Sequence, residues 1–248
     1  NPESGGQLLK HTNLKEDSNI SLDGVRIGYS RKNPLVEIPS LEIFPGEIVA
    51  ITGPSGVGKT TLVRTIAGLI TPLSGTVRVF DSTLPSRPSR GFVGYIPQRL
   101  GLVRHASVLH NVMLGARAGH SSPFSILPSK QSRRSALDAI DSMGLSEKIH
   151  EPVRRLSGGQ QRRVATARTI AQSPSIILAD EFLSELDEKT LEKVQTEVID
   201  YVRKKMATLI IVEHDVSRAN SIADRMLVID DGRVNPFLSH PTALEVGK

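Results

Sequence analysis

The chain has 248 residues, with 31 lysines and arginines, 26 aspartates and glutamates, a formal net charge of +5, and neither cysteine nor tryptophan, a length that suits one large domain or a core domain with an inserted subdomain. The lack of cysteine excludes disulfides, thiolate metal sites, iron–sulfur clusters and cysteine nucleophiles, and it fits a reducing cytosol. No apolar run approaches the roughly 18 to 20 residues of a membrane span and no secretory pattern is present, so we expect a protein that neither crosses a membrane nor is exported by its own signal.

Strand and helix patterns alternate after a polar segment, residues 1–19, that we expect to be a flexible tail. Short apolar runs typical of strands cover 20–29, 35–44, 47–52, 76–80, 92–96, 176–179, 208–213 and 226–229. Helical patterns cover 59–67, 135–143, 160–171 and 187–205, the last with apolar residues on one face. The Ser-, Pro-, Lys- and Arg-rich stretch 119–134 is typical of a loop or linker. This alternation predicts an α/β fold with a mostly parallel sheet.

A glycine-rich loop follows the predicted strand 47–52 and precedes the helix 59–67. It reads Gly53, Pro54, Ser55, Gly56, Val57, Gly58, Lys59, Thr60, Thr61. Glycines let the backbone wrap closely around an anion, and successive N–H groups at a helix N-terminus can hold a phosphate. In this pattern the lysine reaches the β- and γ-phosphates, the first threonine can bind Mg²⁺, and the second can reach the α-phosphate. The loop therefore predicts a nucleoside triphosphate site.

Two acids end a second buried strand pattern, 176–179. Asp180 is predicted to hold Mg²⁺, directly or through water, and Glu181 to orient the attacking water as a general base. Taken alone, this pair is more typical of a strand that simply ends in exposed acids. Beside a phosphate loop, at the strand end where α/β proteins bind ligands, it favours a catalytic role.

A third motif, Leu156-Ser157-Gly158-Gly159-Gln160, opens the helix predicted at 160–171. A serine hydroxyl and glycine amides at a helix N-terminus suit a second anion site. With this motif the chain resembles the ATP-binding-cassette (ABC) ATPases over about residues 20–235. The resemblance implies a P-loop NTPase core, an antiparallel β subdomain, an inserted α-helical subdomain at about 98–165, and a C-terminal tail at 236–248.

The resemblance also assigns roles to residues that are unremarkable by themselves. Tyr29 is similar to the aromatic residue that stacks on adenine. Gln98 resembles the Q-loop glutamine, which touches Mg²⁺ and the attacking water, and His214 resembles the switch histidine that contacts the γ-phosphate. Without the resemblance these residues would be read as a strand aromatic, a polar loop residue and a surface histidine.

Residues 184–187 resemble the D-loop of the family, with two small departures nearby. Glu185 replaces the usual small residue of that loop, and Glu213 precedes the histidine where serine or threonine is more usual. Because the D-loop lies near the dimer seam in the family, Glu185 is expected to affect coupling between two sites rather than the existence of either.

The family resemblance implies a mechanism with ATP and Mg²⁺ as cofactors and a second copy of the chain as partner. In a head-to-tail dimer, Ser157, Gly158, Gly159 and Gln160 of one copy cover the ATP held by the loop of the other. Glu181, His214 and Gln98 are then expected to orient water for attack on the γ-phosphate. Opening after hydrolysis would be the mechanical output.

A single cassette without a membrane span resembles a separate subunit of a multi-chain importer. The expected partners are multi-span permease subunits and an extracytoplasmic solute-binding protein, and the expected place is the cytoplasmic face of the inner membrane. Residues 99–112 match the segment that meets the permease in the family. The stretch 102–115 looks most like importer ATPases for phosphonates and related oxyanions, which is the predicted cargo class.

The charge is uneven, and it leaves alternatives open. Residues 1–84 are neutral overall, residues 85–170 carry +10, and residues 171–248 carry −5. The basic middle third can face anionic lipid, nucleic acid or an acidic partner, or can be an ordinary solvated surface. Nucleic-acid binding is not expected, because aromatic residues for base stacking make up only 4% of the chain. A cassette pair that regulates a membrane partner without moving cargo remains the other alternative.

Overall fold

The computed structural model describes residues 18–120, 127–183 and 186–237. Ten strands lie within these ranges: β1 (Ile20–Ile27), β2 (Val36–Ile43), β3 (Ile48–Thr52), β4 (Ser74–Val79), β5 (Ser82–Thr83), β6 (Val93–Ile96), β7 (Ile176–Asp180), β8 (Thr208–Val212), β9 (Arg225–Asp230) and β10 (Arg233–Phe237). The α-helices of the same ranges are α1 (Lys59–Ile66), α2 (Val108–His120), α3 (Lys130–Ser142), α4 (Gly158–Ala171), α5 (Glu188–Lys205) and α6 (Val216–Ile222). Short 3₁₀ turns cover Ser146–Lys148 and Val153–Arg155.

The ten described strands form one sheet in the order β5-β4-β1-β2-β10-β9-β3-β8-β7-β6. The half that runs from β9 to β6 is parallel throughout. The other half is antiparallel except for one parallel pair between β10 and β2. The predicted α/β P-loop fold with an antiparallel part is therefore confirmed, although the two parts share one continuous sheet.

Strands β3, β7 and β8 are buried on both faces, which explains why they read as uninterrupted apolar runs. Alternate residues of β3 enter different cores. Ile48 and Ala50 face the core formed with α2 to α6, whereas Val49 and Ile51 face the core formed with α1, β1, β2 and β4. The sheet thus separates two apolar layers, and the carboxyl ends of β3, β7 and β8 emerge together at one edge.

The prediction of a loop at residues 119–134 is wrong at both ends. Helix α2 continues to His120, and α3 begins at Lys130. Ser129 caps α3 by accepting a hydrogen bond from the backbone N–H of Ser132 at 3.0 Å. A serine-rich segment can therefore start a helix as readily as it fills a loop, because the serine oxygen satisfies an unpaired N–H of the first turn. Residues 121–126 lie outside the described residues.

Four further elements had no counterpart in the predicted pattern: α2, α6, β5 and β10. Helix α2 contains glycines at 115 and 119, which lower helix propensity and obscure its periodicity. Helix α6 spans only Val216–Ile222, and β10 carries a proline. The other predicted elements are confirmed within two residues at nearly every end.

The predicted tails fall mostly on residues 1–17 and 238–248, which lie outside the described residues. Where the description begins, Ser18 is already buried, and Asn19 donates a hydrogen bond to Thr208 Oγ1 at 3.0 Å. Strand β10 continues to Phe237. The helical insertion predicted at 98–165 contains α2, α3 and the first half of α4, and its bounds stay a prediction. None of the described helices combines the length and the hydropathy needed to cross a membrane.

Candidate functional site

The loop between β3 and α1 has the shape of an anion cradle. Gly53 has φ +140°, and a Cβ there would stand 2.2 Å from the carbonyl oxygen of Ile229, so that only glycine fits. Gly56 has φ +80° and open space where a side chain would be. The Gly58 N-cap provides no side-chain hydrogen bond to α1. The first N–H groups of α1 therefore remain available to an anionic ligand.

Lys59 is buried and holds the loop closed. Its Nζ donates to the carbonyl oxygens of Gly53 at 2.7 Å and Pro54 at 2.8 Å, which uses two of its three hydrogens. Burial lowers the pKa of Lys59, and the carboxylates of Glu181 and Asp180 oppose that shift. The ammonium is thus fixed by the backbone of the loop that it serves and keeps one donor for a ligand.

Asp180, the last residue of β7, is fully buried. Its Oδ1 accepts a hydrogen bond from Thr60 Oγ1 at 3.1 Å, while the buried Oδ2 has no hydrogen-bond partner. Burial raises the pKa of Asp180, and the Thr60 hydrogen bond partly opposes this. An unsatisfied carboxylate oxygen beside a threonine hydroxyl is an oxygen donor set of the kind that Mg²⁺ prefers, so these residues fit the predicted cation.

Glu181 connects the other two predicted catalytic side chains. Gln98 Nε2 donates to its Oε2 at 2.7 Å, and His214 Nε2 lies 2.6 Å from its Oε1. The three residues come from the ends of β6, β7 and β8, so neighbouring parallel strands bring them to one edge. Their arrangement can hold a water molecule and accept its proton.

A cavity of about 470 Å³ gathers most of the predicted residues of this edge. It is lined by Tyr29, Leu35, Ser55, Gly56, Gly58, Lys59, Thr60, Thr61, Gln98, Glu181 and His214. Leu35 was not predicted as a site residue, because it reads only as the start of the β2 pattern. Tyr29 is 84% exposed, so its ring is accessible to a planar ligand. Gly53, Pro54, Val57 and Asp180, which were also predicted, are not among the lining residues.

The Ser157–Gln160 motif does not line this cavity. It caps α4 instead: Gln160 N donates to Ser157 Oγ at 3.3 Å, and Ser157 N donates to Gln160 Oε1 at 3.0 Å. The sequence reasoning missed this capping box, although serine followed by glutamine three residues later is its usual signature. Ser157 and Gly158 are exposed, and a Cβ on Gly158 would meet nothing within 4 Å. The motif is therefore open to solvent, and the cap does not use the hydroxyl hydrogen of Ser157.

Two features near the site had been singled out as departures from the family pattern. Glu213 is buried, its pKa is raised by that burial, and Arg218 Nη1 lies 3.6 Å from its Oε2. Of the D-loop prediction, Ser184 and Glu185 lie outside the described residues, and Asp187 caps α5 through the Thr190 N–H at 3.0 Å.

A larger cavity of about 650 Å³ lies between α3 and α5 and contains none of the predicted site residues.

Comparison with known families and proteins identifies relatives over most of the chain. The family model described as "ABC transporter" matches residues 36–184. The L-cystine transport system ATP-binding protein TcyN of Escherichia coli is 38% identical over 205 residues, covering 78% of this chain and 80% of that protein. A phosphonates import ATP-binding protein, PhnC 2 of Cupriavidus metallidurans, is 35% identical over 229 residues, covering 89% and 82%.

Solved structures show the same fold. A dimeric ATP-binding cassette in a post-hydrolysis state, bound to ADP and Pi, superposes with a TM-score of 0.79 at 29% identity, covering 89% of this chain and 99% of that one. An inward-facing metal-chelate type ABC transporter superposes with a TM-score of 0.77 at 26% identity, covering 90% and 84%. Both the sequence and the fold therefore point to one family.

Proposed function

Because the chain belongs to the ABC transporter family, we propose that it is the ATP-hydrolysing subunit of a multi-subunit importer that works as a head-to-tail dimer. The observation that carries this proposal is the division of the site. One face of an anion cradle is complete in the 470 Å³ cavity, while the exposed Ser157 motif lies outside it. A second copy that supplies this motif would enclose the triphosphate from the other side. The structural relative with bound ADP and Pi is itself a dimer.

The residues of the loop bind and orient ATP. The N–H groups at the start of α1 and the remaining hydrogen of Lys59 suit the phosphates, and exposed Tyr29 suits the base. Thr60 and Asp180 would hold Mg²⁺, with Gln98 at the same cavity wall. When bound, the ion neutralises charge on the phosphate oxygens.

Glu181 carries the hydrolytic step. Its carboxylate accepts a proton from the attacking water, while Gln98 and His214 hold the carboxylate at the mouth of the cavity. Closure of the second copy excludes bulk water and adds the amides of Gly158 and Gly159 as donors to developing negative charge. Loss of the γ-phosphate breaks the link between the two copies, and opening of the dimer is the output.

The transport context comes from the relatives. Their names assign them to transport of cystine and glutamine and to import of phosphonates and of sulfate or thiosulfate. This supports an importer with separate permease subunits and an extracytoplasmic solute-binding protein. The subunit would lie at the cytoplasmic face of the inner membrane. Phosphonate or a related oxyanion is the proposed cargo, because several relatives are phosphonate import proteins. Neither the fold nor these relatives favours a nucleic-acid or purely regulatory role.

Substitution of the proposed general base tests this function. Glu181→Gln removes the proton acceptor but keeps the size of the side chain, so ATP binding should persist, turnover should fall by about 100-fold or more, and a dimer should accumulate with ATP and Mg²⁺. The measurements are phosphate release and the molar mass in solution with and without nucleotide.

Two controls complete this experiment. Lys59→Ala should lose binding of a fluorescent ATP analogue and should not form the ATP-dependent dimer. Ser157→Arg in the Glu181→Gln background should retain binding but fail to dimerise, because the bulky side chain blocks the opposing phosphate. Parent-like hydrolysis by Glu181→Gln, or an ATP-loaded Glu181→Gln chain that stays monomeric, would contradict the proposal.

A further inference from the structure

The main chain of Glu181 adopts an unusual conformation. Its φ is +55°, in the left-handed region that non-glycine residues rarely enter. Such a conformation persists where the surroundings hold it, and it is common where a side chain must be aimed precisely at a ligand. Here it turns the chain directly after the buried strand β7 and places the carboxylate between Gln98 and His214.

Both main-chain polar groups of Glu181 are anchored from outside its own strand. Its N–H donates to the carbonyl oxygen of Val212, at the end of β8, at 3.2 Å. Its carbonyl oxygen accepts a hydrogen bond from Arg162 Nη1 at 2.9 Å. The first anchor belongs to the sheet, whereas the second comes from helix α4, which begins at the Ser157 motif.

Arg162 is an unusual residue for its place. It is only 4% exposed and stands on the first turns of α4, whose apolar residues belong to the same core as β7. Burying a guanidinium costs free energy, and a shorter apolar side chain would fill the same space in the protein interior at a lower cost. A charged donor to a carbonyl is also stronger than a neutral one. The observed contact is therefore one that a purely space-filling residue would not provide.

We infer that Arg162 is a positioning residue for the hydrolytic step: its guanidinium holds the peptide group of Glu181 in the left-handed conformation that directs the carboxylate between Gln98 and His214. This inference rests on the proposed role of Glu181. It also gives α4 a direct connection from the Ser157 motif of a chain to the general base of the same chain. Arg162 touches no reacting atom, so its effect should appear in the rate of the chemical step and not in nucleotide affinity.

Arg162→Met tests the inference, because methionine keeps much of the length and removes every donor. The kcat for ATP hydrolysis should fall about 10- to 100-fold, while KM and the Kd of a fluorescent ATP analogue change by less than about three-fold. Arg162→Lys retains a charged donor and should recover part of the rate. If Arg162→Met does not fold, the kcat of Arg162→Lys relative to the parent still tests the inference.

Thr169→Val is the matched control on the same helix. Thr169 is buried, and its hydroxyl donates to the carbonyl oxygen of Ala165 at 3.1 Å, far from Glu181 in the helix. The substitution removes a buried hydrogen bond of α4 without touching the site, so its kcat should stay within about two-fold of the parent. An equal loss of kcat in Thr169→Val and Arg162→Met would overturn the inference, since any weakening of α4 would then suffice.

A double-substitution cycle separates this inference from the proposed function. If Arg162 acts through Glu181, then Arg162→Met should reduce the residual rate of Glu181→Gln by less than about two-fold, although it costs far more in the parent. Additive losses, or an unchanged kcat in Arg162→Met alone, would overturn the inference. If Glu181→Gln does not impair hydrolysis, Glu181 is not the general base, and the inference about Arg162 loses the role on which it rests.

Discussion

At the scale of single residues, Asp180 combines a proposed role in cation binding with a cost in stability. Its carboxylate is fully buried, one oxygen lacks a partner, and burial raises its pKa. A raised pKa means that the folded state binds the proton more tightly than the unfolded state does. Without a cation, this residue therefore lowers stability increasingly as the pH rises from its unfolded pKa through its folded pKa.

Asp180→Asn should stabilise the cation-free protein while it abolishes Mg²⁺-dependent hydrolysis. The amide removes the buried charge, and Tm at neutral pH should rise by about 2 to 4 °C for each kcal/mol gained. Thermal unfolding in EDTA from about pH 3.5 to pH 8 measures this, and the gain should be smallest at the acid end, where the carboxyl is protonated. Thr65→Val, which loses a buried hydroxyl of α1, should lower Tm instead and serves as the control. A lower Tm for Asp180→Asn throughout this pH range would contradict the prediction.

The residue scale also shows what a motif can and cannot reveal. Lys59 and Glu181 were predicted from short patterns because those patterns are local in the chain. Arg162 was not, since its partner is 19 residues away and the contact exists only after α4 packs against β7. The sequence shows that an arginine follows the glycine motif, but it does not show that this arginine is buried.

At the scale of elements, the contact between α2 and α4 depends on glycine. A Cβ on Gly115 would stand 1.9 Å from the carbonyl oxygen of Arg168, and one on Gly119 would stand 1.8 Å from that of Gln172. The two glycines are one helical turn apart on the same face of α2, so the helices approach at backbone distance. Arg168 in turn donates to the carbonyl oxygens of Leu100 and Gly101 at 2.8 Å, just after Gln98.

Gly115→Ala should destabilise the protein, against the intrinsic preference of helices. In a solvent-exposed helix the change would gain up to about 1 kcal/mol, whereas overpacking a tight contact costs about 1 to 3 kcal/mol or more. The second effect should win here because the clash is with backbone atoms. Denaturant unfolding measures the difference, and Leu114→Ala, on the exposed face of α2, is the matched control. A more stable Gly115→Ala variant would show that the helices can separate without cost.

The same glycines explain the main error at the element scale. Helix α2 was not predicted, and residues 119–134 were read as a loop, because glycine and serine both lower helix propensity. Tertiary packing reverses that preference: glycine permits the contact with α4, and Ser129 caps α3. Strands β3, β7 and β8 were predicted without difficulty, since burial on both faces leaves an uninterrupted apolar run.

At the scale of the whole molecule, part of the basic middle third is gathered on one surface. Arg104, His105, Arg154 and Arg155 are exposed on two segments joined by backbone hydrogen bonds, including Arg154 N to Arg104 O at 2.8 Å. Arg104 and His105 belong to the segment 99–112 that is proposed to meet the permease, and Arg154 and Arg155 lie beside it. Positive charge there would favour the anionic headgroups around a permease, by about 1 kcal/mol for each well-placed residue.

Binding to permease-containing vesicles with anionic lipid should therefore depend on salt. A chain with Arg104→Glu and Arg154→Glu should dissociate at a lower salt concentration than the parent, and the parent should bind less in 0.5 M than in 0.05 M salt. Arg133→Glu with Arg134→Glu, exposed on α3, is the charge-matched control. Retention that is indifferent to salt, or equal loss in both double variants, would contradict a specific role for this surface.

Local order along the chain determined the chemistry that could be predicted: a phosphate loop after one strand, two acids at the end of another, and Ser157-Gly158-Gly159 at a helix start. These need only short segments, so propensity and residue type suffice. The tertiary structure alone decided which groups meet. Adjacent parallel strands bring Gln98, Glu181 and His214 together, while the Ser157 motif stays outside their cavity. Contacts between distant segments depend on strand order and helix packing, which the two apolar cores impose and no single stretch of sequence contains.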